Sequence, residues 1–280
     1  MTPQNSKTLS EKNQALSILI NRDGLSFLTY NPATKEVGRL KSYDFQENVA
    51  EEELHEYIKK YLAEQGVTDQ SYSDVRLCIA NNLSTFVPEP LFDENKRATY
   101  LEDHADIRKH DFVSFDNVSS TNAVSVYIPY VNVNNMFLEM FGSFSYVHAS
   151  SLLLDILSKK AADIEKNNPY WVVHIQHSLT YFFVFTNGQL AFYNTFSWQN
   201  ETDLLYYALA VAKNNKIDLN KATLWLSGRI SPRDETHQLL SNYVNTTHFL
   251  MTSKALKTSN VKLLHPHHHN LLLELHACEL

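Results

Sequence analysis

The sequence predicts an α/β protein made of two similar halves, each a mixed sheet flanked by helices. Three observations point there. Ala15–Phe45 and Tyr170–Trp198 each read as three short strands in succession. Each meander is followed by an amphipathic helical stretch and then by a short apolar run of strand length. The third observation is a scarcity: the chain has six glycines in 280 residues, no two of them close together, where average usage of about 7% would give roughly 20. Dinucleotide and P-loop folds need glycine-rich turns that bring backbone N–H groups onto a phosphate. No such motif occurs.

Taken in order, residues 1–13 form a polar tail without an apolar leader region. Leu16–Asn21 and Leu25–Tyr30 are strands joined through Arg22-Asp23-Gly24, an Asp-Gly hairpin signal. Val37–Phe45 supplies the third strand. Glu51–Gln65 is helical, with Leu54, Tyr57, Ile58, Tyr61 and Leu62 on one face and Gly66 as its stop. Val75–Ala80 is a buried strand, and Pro88–His104 contains a helix opened by Glu89-Pro90. Phe112–Asn117 and Ala123–Tyr130 form a second hairpin. A short helix runs to Phe141, Ser145–His148 is a strand, and Ser151–Glu165 is a helix. Asn167-Asn168-Pro169 marks the boundary between the halves, 14–168 and 169–280.

The second half restarts with strands at Trp171–Ile175, Thr180–Thr186 and Leu190–Trp198, the last two joined through Asn187-Gly188. Glu201–Asn215 is a helix and Thr223–Ser227 a buried strand ending at Gly228. Ser231-Pro232-Arg233-Asp234-Glu235 starts a helix with Ser231 as its cap. A strand near Thr247–Met251 follows. His267–Ala277 closes the chain as a helix, placed to pack back on the first half.

Net charge is −7 and the pI is near 6.0. This disfavours nucleic acid and anionic membranes as partners, because both favour basic surfaces. No apolar stretch approaches the roughly 20 residues needed to span a bilayer. Two cysteines, Cys78 and Cys278, suggest no disulfide framework. These features place the protein in the cytoplasm.

The candidate chemistry is thin. His174 and His177, three apart on a strand, point to opposite faces and do not converge on a metal. His265-Pro266-His267-His268-His269 is the sharpest anomaly of composition. With His276 it could support a metal-dependent enzyme, but zinc needs three or four convergent ligands, so a His-rich turn and helix start is preferred and no metal is assigned. Asp103, His104, Asp106 and His110 offer acids and bases on a charged segment that reads as a solvated face. Ser119-Ser120 lacks a nucleophile-elbow frame. Tyr181-Phe182-Phe183-Val184-Phe185 is apolar on both strand faces and reads as a central strand, with a strand covered by a partner as the alternative.

The doubled order strand–strand–strand–helix–strand–helix resembles the actin-like ATPase fold, built of ribonuclease H-like domains. From about Ala15 to Leu280 the chain also resembles an uncharacterised bacterial family, a domain of unknown function described as actin-like. The stretches that carry this are Leu16-Ser17-Ile18-Leu19-Ile20, Phe86-Val87-Pro88-Glu89-Pro90-Leu91-Phe92 and Val172-Val173-His174-Ile175-Gln176. A more distant resemblance is to pilus and secretion platform proteins of the same fold.

Active members of the fold resemble one another in two Asp-x-Gly phosphate turns and a glycine-rich adenosine motif. The resemblance puts the first turn near Ile18–Asp23, the second at His174-Ile175-Gln176, and the adenosine motif on Leu226-Ser227-Gly228-Arg229. Asp23, His174, Gln176 and Gly228 are thus the expected lining of a vestigial cleft. Asp and Gly are both replaced in the second turn, which weakens a magnesium site. The expectation is a non-catalytic scaffold or protein-binding module that takes no cofactor and has an unidentified protein partner. The alternative is an ATP-binding enzyme of the kinase or ATPase class that uses these unconventional residues.

Overall fold

In a computed structural model of the chain, residues 13–45, 49–102, 107, 111–118, 120–161, 169–251 and 255–277 are described. Apolar alternation and the Asp-Gly turn build a meander of β1 (Ala15–Asn21), β2 (Gly24–Tyr30) and β3 (Val37–Asp44). The helix α1 (Leu54–Glu64) carries the chain to β4 (Asp74–Ile79), which pairs parallel with β1. Next come β5 (Ser84–Pro88), β6 (Ser114–Val118) and β7 (Ala123–Tyr127), a small antiparallel sheet in the order β5-β7-β6. Then α2 (Val131–Phe141), β8 (Ser145–His148) and α3 (Ala149–Ala161) complete this half. The main sheet has the order β3-β2-β1-β4-β8.

The second half repeats the scheme. Its meander is β9 (Tyr170–Gln176), β10 (Leu179–Thr186) and β11 (Gln189–Ser197). The turn joining β10 to β11 holds both Asn187 and Gly188 at positive φ, the geometry an Asn-Gly hairpin favours. After α4 (Glu201–Asn214) come β12 (Thr223–Gly228), α5 (Glu235–Ser241) and β13 (Thr246–Phe249). The order β11-β10-β9-β12-β13 is that of the first sheet with each strand replaced by its counterpart. Near the end, α6 (Asn270–Glu274) lies between two short 3₁₀ turns.

Four expectations change. The helix expected over Pro88–His104 is two 3₁₀ segments, Glu89–Leu91 and Glu94–Leu101, with Lys96 off helical geometry. Residues 84–88 form a strand instead, because Thr85, Phe86 and Val87 pair with β7 before Pro88 ends the run. The cap at Ser231 moves to Asp234, whose side chain accepts from the His237 N–H, and the Ser231 N–H also bonds to Asp234. The closing helix is α-helical only over its middle. The second turn is not at His174-Ile175-Gln176: β9 runs on to Gln176, paired with Leu179, and reverses at His177-Ser178 with His177 at φ 53°. Asp103, His104, Asp106, His110, Ser119, Cys278, most of the 1–13 tail and Asn167-Asn168 lie outside the described residues.

Strand parity sorts the core into layers. Leu16, Ile18 and Ile20 face α1 and α2 through Leu54, Ile58, Val133 and Phe137. Trp171, Val173 and Ile175 face α4 and α5 through Leu204, Ala208, Val211 and Leu240. The opposite faces of both sheets share a single cluster. In it Leu19, Leu28 and Cys78 of the first half join Val172, Tyr181 and Phe183 of the second around Leu153 and Leu157 of α3 and Leu271–Leu273 of α6. Burying each such side chain contributes about 1.5–3 kcal/mol. That apolar layer, rather than any polar bridge, dominates the joining of the halves. Both faces of β10 are buried, so its aromatic run is a central strand.

Candidate functional site

The two sheets bring their first hairpin turns together. The Asp23 carboxylate, between β1 and β2, accepts hydrogen bonds from both the Ser178 N–H (3.1 Å) and the Ser178 hydroxyl (2.6 Å), between β9 and β10. A second bridge lies beside it: Arg229 donates from Nη1 and Nη2 to the two oxygens of Asp44, at 2.9 and 2.6 Å. His177 Nε2 stands 3.6 Å from the same carboxylate. Burial, then the Arg229 charge, lowers the His177 pKa.

His174 lies below this surface, 1% exposed. Its Nδ1 is 3.1 Å from the Ser227 hydroxyl, which also accepts from Asn270 Nδ2 at 2.7 Å. Burial holds the His174 imidazole down to about 3, against an opposing pull from Gln176, so the ring is neutral at pH 7. Gly228 closes β12 at φ 79°, where the Arg229 N–H reaches the Ile175 carbonyl at 2.7 Å. A Cβ at Gly228 would overlap that carbonyl. The glycine therefore serves the approach of two strands of the same sheet.

Gln176 lines a cleft of about 320 Å³ with Leu19, Ser26, Ser42, Arg229, Ser231, His268, His269 and Leu272. Asp23 and His174 are not on its wall. The cleft therefore gathers Gln176 and the neighbour of Gly228, while Asp23 is engaged by the opposite turn and His174 is enclosed beneath. Reading the sequence missed Ser178 and Asp44 as members of this region. No local signal marks them, because each meets its partner more than 150 residues away in the chain.

The histidine tract is tied down by the backbone. His267 and His268 both point Nε2 at the Ile230 carbonyl, at 2.7 and 3.0 Å. Among the described residues no group of three or more His, Cys, Asp or Glu is placed to hold a metal ion. A separate polar network sits in the first half. Asp116 accepts from the Ser151 hydroxyl (2.6 Å), the His148 N–H (2.9 Å) and the Tyr127 hydroxyl (2.8 Å). Burial raises its pKa to about 6 against those bonds. Burial likewise lowers His148, bonded to Ser150 and Asn81, to about 3.

Among the described residues no helix is long and apolar enough to cross a membrane. A family described as a protein of unknown function, DUF3822, matches residues 3–246. A Bacteroides thetaiotaomicron protein with an actin-like ATPase fold and unknown function is similar in structure. Its TM-score is 0.79 at 21% identity, covering 99% of this chain and 100% of that one. A chain of a PilM–PilN type IV pilus biogenesis complex is similar with a TM-score of 0.63 at 14% identity, covering 93% of this chain and 97% of that one. At these identities the likeness establishes the actin-like ATPase fold and carries no activity with it. No curated protein matches the sequence.

Proposed function

The chain belongs to the DUF3822 family of proteins of unknown function, and on that premise we propose that it is a non-catalytic actin-like scaffold whose nucleotide site is degenerate. One observation carries this reading: Ser178 of the second-half turn hydrogen-bonds directly to Asp23 of the first-half turn. A triphosphate held between two such turns needs them apart, each offering donors or a metal-binding acid to the phosphates. Here the acid already has its donors. The Asp44–Arg229 pair, beside the Asp23–Ser178 contact, further ties the halves together. The halves divide near residues 168 and 169, and the protein acts in the bacterial cytoplasm by binding another protein. Similarity to a chain of a pilus biogenesis complex supports an assembly role as analogy.

The test is thermal unfolding with millimolar Mg·ATP and Mg·ADP. A ligand at a hundredfold excess over its Kd stabilises the folded state by about 2.7 kcal/mol, a shift of several degrees. The expected result is an unchanged Tm and no ATP turnover. A saturable rise in Tm, or phosphate release above a buffer blank, would overturn the reading.

A further inference from the structure

We propose that the groove between β5 and β11 receives an extended, uncharged segment of a partner protein, which adds to β11 as a further strand. This rests on the binding-module reading above and gives it a place and a chemistry. The strands β5 and β11 each end their sheets, so among the described residues each has a side with no strand against it. Between them lies a groove of about 750 Å³. Its walls run along Phe86–Pro88, the turn into β7, Leu154 and Ser158 of α3, and the start of β11.

Three features identify the occupant. The first is charge. None of the groove's sixteen lining residues is Asp, Glu, Lys, Arg or His, in a chain that is 20% charged. A charged side chain entering it would lose hydration without a partner. The second is the edge itself. At the same place in the first sheet, β3 (Val-Gly-Arg-Leu-Lys-Ser-Tyr-Asp) carries Arg39, Lys41 and Asp44. The edge strand β11 (Gln-Leu-Ala-Phe-Tyr-Asn-Thr-Phe-Ser) runs nine residues with neither a charge nor a proline. Exposed edges of that length are ordinarily guarded by charge, proline or brevity. An unguarded edge lining an uncharged groove is suited to β-strand addition.

The third feature is an orphan. Ser158, 8% exposed, lines the groove, and among the described residues its buried hydroxyl has no hydrogen-bond partner. Buried hydroxyls are ordinarily paired, and a passing peptide group would pair this one. Pro88 removes an N–H from β5 and blunts that wall, so the added strand pairs with β11. Phe86 and Tyr193, with ring centroids 4.5 Å apart, and the Ser84–Tyr193 hydroxyl contact at 2.8 Å hold the two walls together without filling the groove.

A random peptide library displayed on phage is panned on the full chain, and the most enriched peptide is synthesised with a fluorophore for anisotropy titration. The expected peptide has an uncharged stretch of about five or six residues, one strand length. Ala191→Lys on β11 and Asn122→Lys on the facing wall are both at exposed positions. Each should weaken binding by about tenfold or more while leaving Tm unchanged. Amide exchange should slow along β11 when the peptide is bound. No enriched peptide, an affinity unchanged in both variants, or a dimer in light scattering that both variants abolish would overturn the proposal. Peptide binding together with a nucleotide-dependent rise in Tm would overturn the degenerate-site reading and leave the groove standing. No peptide and no nucleotide shift would do the reverse.

Discussion

The β1–β2 turn and the β9–β10 turn hold the same position in two sheets of identical strand order, yet one presents a carboxylate and the other presents donors to it. In the reading proposed above, Asp23 is the acid that a phosphate site would use. Ser178, in a turn with neither acid nor glycine, binds it. The two turns grip each other. The same asymmetry appears at the far edges of the sheets, where β3 is charged and β11 is bare. Duplication fixes where strands lie, and the side chains at turns and edges decide what each copy meets.

Substitutions can break this comparison, beginning where the largest effect is expected. Gly228→Ala should cost about 3 kcal/mol or more in urea unfolding, because a left-handed backbone and an overlap with the Ile175 carbonyl act together. Acid should come next. Burial holds His148 in the first half and His174 in the second at a pKa of about 3, against about 6.5 in the unfolded chain, and it lowers His267, His268 and His269 in the same direction. The unfolded state therefore binds protons first, and the stability these residues allow is present above pH ~6.5 and is lost as pH falls toward 3. Asp116, raised to about 6, works in the opposite sense: its contribution falls as pH rises from about 4 to 6. With these lowered histidines against one raised acid, Tm should drop between pH 7 and 4. His174→Gln and His148→Gln should each flatten that slope, which a pH series of melts reads directly.

Smaller effects sharpen the contrast between the turns. A double-mutant cycle on Asp23→Ala and Ser178→Ala should give a coupling of about 1–2 kcal/mol, as for hydrogen bonds to a partly buried charge. The Asp44→Ala and Arg229→Ala cycle should give about 0.5 kcal/mol and fade in high salt, because both side chains are well exposed. Equal couplings in the two cycles would mean that the Asp23 contact is no more than a surface pair.

Much of the architecture could be read from the chain because hairpin signals and strand alternation are local. Asp23-Gly24 and Asn187-Gly188 fixed both meanders, and the apolar spacing of Leu54, Ile58 and Leu62 fixed the first helix. The strand at Ser84–Pro88 was hidden by its brevity and by Glu89-Pro90, which reads as a helix start yet opens a 3₁₀ turn. The site was less legible. His177 in a left-handed conformation leaves no local mark, since hairpin turns of this kind favour glycine or asparagine. The Asp23–Ser178 bond joins positions 155 apart and exists only because two sheets pack on one apolar layer. Nor does the edge run of β11 distinguish itself from a core strand until its place at the end of the sheet is known.

The segment at 270–275 fills the space between the sheets, and Arg76 Nη1 reaches on to the Leu275 and His276 carbonyls, about two hundred positions downstream. During synthesis the inward faces of both sheets emerge well before the piece that seals them. At about 5–20 residues per second, the inward faces wait several seconds for their seal, and the seam closes late.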